Sequence, residues 1–297
     1  MELSYAIINT DRRDDLLRCL ASIEATHPDA IEREVVVVDN ASDDGSSAAV
    51  ADRFPGVRIV ERRDRGSITE NLNLLLTSTS GRLFMFLNED VELLPGATAA
   101  MVAALDADPG VAAAGAMLLD PLRGPTPCAW RLPGVGTAIA GALFLHKWLV
   151  TESGGGGPRE VGWVRSAAFL GRRDAIESVG GYDTDYVFYG EETDLQKRLH
   201  GAGWRILHVP EALVVHNETA DVERPRRVRR IVQFHRSRDL YMRKHHSNAV
   251  RLVCRPLWAW PYLPRAAAAL LVPGEDAGLY LLHARQALLP GSGVGMG

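Results

Sequence analysis

Residues 35–46 read VVVVDNASDDGS. Four consecutive valines with no polar alternation suit a strand covered by helices on both faces, as in a mostly parallel sheet. The residues that follow can turn the chain sharply, and they leave the Asp39 carboxylate at the strand's carboxyl end. In open α/β sheets ligands bind beyond those ends. Read alone, the segment fits either a turn cap at Asp39 or a carboxylate that accepts ligand hydroxyls.

Working outward, short apolar runs alternate with helical patterns, the mark of βαβ units. A strand is expected at 3–8, then a helix whose Leu16, Leu17, Leu20 and Ile23 share one face. Further strands are expected at 58–60, 83–87 and 111–116, with a helix at 97–105 after Pro95-Gly96. Past Leu119 four prolines and the glycines 154–157 break the pattern, and a long irregular connection is expected. Regular structure resumes at 163–172. A helix is expected over 191–202, closed by Gly203 as its C-terminal cap, and a strand follows at 205–209.

Polar residues cluster at three further places. Asn88-Glu89-Asp90 ends the apolar strand LFMFL, where carboxylates can hold a hard divalent cation or simply lead into the next helix. Glu191, Glu192 and Asp194 crowd a helix start. Crowded acids compete for a proton, so one can serve as a general base, although acidic first turns are also ordinary helix chemistry. His216 ends the run 212–215 and can be a ligand through a neutral ring nitrogen or a hydrogen-bonded structural residue.

In order along the chain, VVDNASDDGS, FLNEDVELLPG, GYDTDYVFYGEETDLQKRLHGAGWRILHVPEALVVH and HRSRDLYMRKHH resemble the family 2 glycosyltransferases of the GT-A fold, especially their bacterial rhamnosyltransferase-like branch. The resemblance runs from Tyr5 to His246. It implies an α/β, Rossmann-like, mostly parallel sheet flanked by helices, with a C-terminal helical extension. The expected organisation is a nucleotide-sugar half at 1–120, an acceptor-binding and catalytic half at 121–222, and a basic, aromatic helical extension at 223–297.

The same resemblance implies that Asn9, Thr10, Asp39, Asn40 and Gly66 line a nucleotide-sugar pocket with Asn88 and Glu89. Asp90 and His216 would hold Mg²⁺ or Mn²⁺ against the donor diphosphate. Glu192 would be the base, supported by Glu191 and Asp194, and Trp163 and Arg165 would meet the acceptor. The implied activity is transfer of a sugar, rhamnose in this branch, from a nucleotide diphosphate to a hydroxyl acceptor such as a glycan, a lipid-linked saccharide or a natural product. Four positions depart from the family pattern: Asn88 replaces a first aspartate, Glu192 replaces the usual aspartate, Asp64 stands for an asparagine, and Ser166 stands for a glycine. Two other readings compete. A nucleotidyltransferase acting on a sugar phosphate would normally carry a glycine-rich loop where this chain has NTDRRDD, and a non-catalytic binding module would not need the acid pair and His216.

A formal net charge of −4 gives no reason to expect a nucleic-acid partner. Cys19, Cys128 and Cys254 are odd in number and far apart, so neither disulfides nor a cysteine metal site is indicated. The opening apolar run is too short for a signal peptide, and a cytoplasmic setting is expected. Residues 224–255 carry eleven Lys and Arg against one acid, Asp239, followed by Trp258, Trp260 and Tyr262. That composition suits either a face peripheral to an anionic membrane or a solvated basic helix packed on its own chain.

Overall fold

The computed structural model describes residues 1–218 and 223–292. The chain opens as β1 (Leu3–Asn9), α1 (Arg13–Thr26), β2 (Arg33–Asp39), α2 (Ser46–Arg53), β3 (Arg58–Glu61), α3 (Ile68–Ser78) and β4 (Leu83–Asn88). There follow β5 (Val91–Leu93), α4 (Ala97–Asp106), β6 (Val111–Leu119), β7 (Ala129–Trp130), α5 (Val135–Ala142) and α6 (His146–Leu149). Next come β8 (Arg159–Glu160), β9 (Trp163–Val164), β10 (Ala168–Arg172), α7 (Arg173–Ser178), α8 (Glu191–Gly201) and β11 (Arg205–His216). Four helices close the chain: α9 (Arg224–His245), α10 (Asn248–Ala259), α11 (Tyr262–Ala269) and α12 (Ala277–Leu288).

Two compact units emerge. The first comprises Met1–Trp130, Glu152–Val187 and Glu191–Glu218, and the second comprises Arg131–Thr151, Phe188–Gly190 and Thr219–Gly297. In the first, nine strands form one sheet in the order β3-β2-β1-β4-β10-β6-β11-β5, with β8 paired to β11. Six strands run in one direction, while β5, β8 and β10 run against them.

The valine run behaves as its pattern demands. Val35 and Val37 join the core under α1, α2 and α4, whereas Val36 and Val38 join the core formed with α3, α7 and α8. Alternate side chains of one strand are thus buried on opposite faces, which is why no polar residue interrupts them. Helix α3 starts at a reciprocal capping box, in which the Ser67 side chain accepts from the Glu70 amide and the Glu70 side chain accepts from the Ser67 amide.

Three features differ from the sequence expectations. Strand β10 lies antiparallel between β4 and β6, a placement that local pattern cannot reveal because its partners are far away in sequence. The strand expected at 205–209 continues to His216, with a register shift between Val209 and Leu213 where Pro210 has no N–H to give the ladder. The connection expected to be irregular contains α5 and α6 in the second unit. Its Val135–Ala142 helix is rich in glycine and alanine, buries only Ala138 and Ala140, and follows directly on the prolines that break the pattern.

The turn from α8 into β11 is closed as expected. Trp204 N–H donates to Leu199 O (3.0 Å) and Gly203 N–H to His200 O (3.0 Å), the paired bonds of a Schellman cap. Gly203 takes φ +90°, a conformation side-chain-bearing residues avoid.

Candidate active site

The carboxyl ends of β1 and β2 are tied together by side-chain hydrogen bonds. Asn9 Nδ2 donates to Asp39 Oδ1 (3.1 Å) and to Ser42 Oγ (3.0 Å), and Ser42 N–H donates to Asp39 Oδ2 (3.2 Å). Asn40 grips the loop after β3 from both ends of its amide: Gly66 N–H donates to Asn40 Oδ1 (2.8 Å), and Asn40 Nδ2 donates to Gly66 O (3.4 Å) and to Thr10 Oγ1 (3.2 Å). Asn9, Thr10, Asp39, Asn40 and Gly66 are therefore one network spanning three strand ends. Ser42 belongs to it and was not singled out from sequence, because a serine in a turn carries no distinguishing pattern.

The second cluster follows from strand register. Glu89 and Asp90 form the tight turn between β4 and β5, and β11 pairs antiparallel with β5 so that His216 faces Val91. Asn217 N–H donates to Asp90 O (2.8 Å) and locks this end. His216 Nε2 consequently lies 3.1 Å from Asp90 Oδ1, an oxygen that is buried yet has no aligned hydrogen-bond donor. Arg12 reaches the same acids from the loop after β1, at 3.6 Å from Asp90 and 3.9 Å from Glu89. Burial acts to raise the Asp90 pKa, but His216 and Arg12 outweigh it and hold the carboxyl below its ordinary value. Burial, then the adjoining Asp90 charge, pushes Glu89 up to about 7. Asn88, at the end of β4, is held through its backbone, donating to Ala167 O (3.0 Å).

One carboxylate and one imidazole suit a divalent cation whose other positions come from diphosphate oxygens and water. The orphaned buried oxygen of Asp90 fits that role. Among the described residues no group of three or more His, Cys, Asp or Glu is arranged to hold a metal unaided.

The third cluster sits at the start of α8. Glu191 is buried, and burial together with the neighbouring negative charge of Glu192 raises its pKa well above the ordinary value. Asp194 is almost completely buried and accepts from Tyr186 Oη (3.3 Å) and Arg198 Nε (2.7 Å). Its geometry is that of a group holding the helix start.

The helix is clamped to β9 by Gln196, whose side chain accepts from Val164 N–H (2.7 Å) and donates to Val164 O (2.8 Å). Gln196→Ala would strand two buried backbone groups, at roughly 1–3 kcal/mol each. We expect a Tm several degrees lower for that variant by calorimetry, and a wild-type Tm would show that the clamp contributes little.

Trp163, on β9, stacks on Trp130 of β7 with centroids 4.5 Å apart. Arg165 lies just beyond β9 rather than on one continuous strand to Arg172, and its guanidinium donates to Glu218 (2.8 Å). Glu218 in turn lies 4.0 Å from His216. A string of polar side chains therefore runs Arg165, Glu218, His216, Asp90, Arg12, and it joins the acceptor-side candidates to the loop after β1. Arg12, Trp130, Gln196 and Glu218 were not foreseen. Only Arg12, as a basic residue in the loop after the first strand, left a signal in the sequence.

The Glu191 shift has a measurable consequence. In the unfolded chain Glu191 titrates in the ordinary carboxylate range, whereas in the folded protein it keeps its proton to higher pH. The native state then binds more protons across that window, so stability falls as pH rises through it. Glu191→Gln removes this loss. Its Tm should gain progressively on wild type as pH rises above the ordinary carboxylate range, and parallel Tm curves would argue against a raised Glu191.

The family model for glycosyl transferase family 2 matches residues 4–121, which hold both strand-end clusters except His216. An N-acetylglucosaminyl-diphospho-decaprenol L-rhamnosyltransferase of Mycobacterium tuberculosis is 30% identical over 254 residues, covering 78% of this chain and 81% of the relative. Among solved structures, the mannosyltransferase PcManGT from Pyrobaculum calidifontis superposes with TM-score 0.64 at 17% identity, covering 97% of this chain and 87% of that one. TarS 1–349 of S. aureus superposes with TM-score 0.59 at 13% identity, covering 97% and 82%. These two likenesses speak for the fold. The sequence relationship reaches further, and by it the chain belongs to glycosyl transferase family 2.

Proposed function

We propose that the chain is an inverting, cation-assisted glycosyltransferase that moves a sugar, by relation to the mycobacterial enzyme an L-rhamnosyl unit, from a nucleoside diphosphate to a hydroxyl of a lipid-linked saccharide. The observation that carries this reading is the Asp90–His216 pair, 3.1 Å apart with a buried oxygen unsatisfied. It lies in the same unit as the Asn9–Asp39–Asn40 network and the acid pair of α8.

In this mechanism Asp39 and Asn40 hold the nucleoside, and Gly66 lets the backbone lie close to it. Asp90 and His216, with Asn88 and Glu89 adjoining, would hold the cation, which when bound would supply positive charge to the leaving diphosphate. Glu192 takes the acceptor hydroxyl proton as that oxygen bonds to the anomeric carbon. The bond from that carbon to the diphosphate oxygen breaks, and its electron pair leaves with the nucleoside diphosphate. Glu191, keeping its proton, leaves Glu192 as the anionic member of the pair. Asp194 and Gln196 hold α8 in position, while Trp163 and Arg165 offer a stacking face and a cation to the acceptor.

The test is a thermal-shift panel of nucleoside diphosphates and nucleotide sugars with and without Mn²⁺ or Mg²⁺. A ligand at about 100 times its Kd should stabilise the native state by roughly 2.7 kcal/mol. A base-selective shift that needs the cation supports the reading. No shift with any nucleotide would turn the assignment towards a non-catalytic module.

A further inference from the structure

We propose that the second unit carries a peripheral docking surface for an anionic lipid bilayer, centred on the α5–α6 turn and on α10 and α11. This goes beyond the transferase reading and does not rest on it. Charge is divided sharply between the units. The second holds fifteen Lys and Arg against five Asp and Glu, a net of +10, and the first carries the balancing −14 of the chain's −4.

Apolar surface is divided the same way. Of the twenty-two large hydrophobic side chains exposed among the described residues, eighteen lie in the second unit. They include Phe144 between α5 and α6, Trp148 (71% exposed) on α6, Leu252 on α10, Leu263 on α11, and Leu270 and Leu271 (85% exposed) just after it. Helix α5 packs on α10, and the Arg265 guanidinium of α11 lies 5.9 Å from the Phe144 ring centre, so these segments adjoin.

Several cations in this unit are engaged within it. Arg243, Arg251 and Arg255 gather around Asp239, and Arg238 is sandwiched between Phe234 and Trp258. Lys147 and Arg265, in contrast, are exposed among the apolar side chains. Aromatic and aliphatic groups interleaved with exposed cations match the boundary between acyl chains and anionic headgroups. A second copy of this chain would have to present a complementary acidic, apolar face, yet the acidic unit exposes only four large hydrophobic side chains. No described helix is long and apolar enough to cross a bilayer, so the expected attachment lies in the interface.

The full chain should co-sediment with vesicles of phosphatidylcholine plus phosphatidylglycerol and not with phosphatidylcholine alone. Phe144→Ser with Trp148→Ser should weaken that binding by roughly tenfold or more. Lys147→Glu with Arg265→Glu should weaken it by on the order of twentyfold or more, since each cation near such a surface contributes about fivefold. Circular dichroism and the cation-dependent thermal shift with nucleotide should be unchanged in both variants, which separates this surface from the donor site. Absence of binding to anionic vesicles overturns the proposal. So does binding that both variants retain, or a dimer by analytical ultracentrifugation that both variants dissolve.

Discussion

Glu192→Gln is expected to lower kcat by about 10²–10⁴-fold, the usual range for loss of a general base, with donor Kd changed by roughly twofold or less. The amide preserves size and helix geometry but cannot take the acceptor proton. Donor contacts are assigned to other strand ends, on the Asn9, Asp39 and Asn40 network, which this substitution does not touch. Glu191→Gln is the informative companion. It keeps Glu192 and removes the titrating proton of its buried neighbour, so a smaller loss in kcat and an altered acid limb of the pH profile are expected. If Glu192→Gln instead raises KM for the acceptor and spares kcat, Glu192 is a binding group and the base lies elsewhere.

The sheet was readable because its determinants are local. Val35–Val38 must be buried on both faces, and Gly203 ends a helix by its own conformation. Features set by distant pairing were not readable. Nothing near Ala168 says that β10 will run antiparallel between β4 and β6.

The site divides along the same line. Asp39, Asp90 and His216 stand at strand ends and could be picked out by position alone. That Asp90 meets His216 depends on the register of β5 with β11, across more than a hundred residues, and only the family resemblance anticipated it. Gln196 left no signal at all, since a glutamine within a helix is ordinary until its partner, the Val164 backbone, is seen.

Asp90→Asn should abolish the cation-dependent part of nucleoside diphosphate binding and reduce kcat/KM by at least about 100-fold, or roughly 2.7 kcal/mol of transition-state stabilisation. The substitution keeps the turn, because the bond from Asn217 is made to the backbone oxygen of Asp90. It removes the charge that faces His216 and Arg12, so neither change should resemble unfolding. Calorimetric titration separates the causes. With EDTA present, wild type and Asp90→Asn should bind the nucleotide equally weakly; on adding Mn²⁺ only wild type should tighten. Asp39→Asn should weaken binding in both conditions, because the contact proposed for Asp39 is with the nucleoside and not with the diphosphate. If Asp90→Asn tightens with Mn²⁺ as wild type does, then Asp90 holds no cation. Arg12, already beside these acids, would then be left as the group that meets the diphosphate charge.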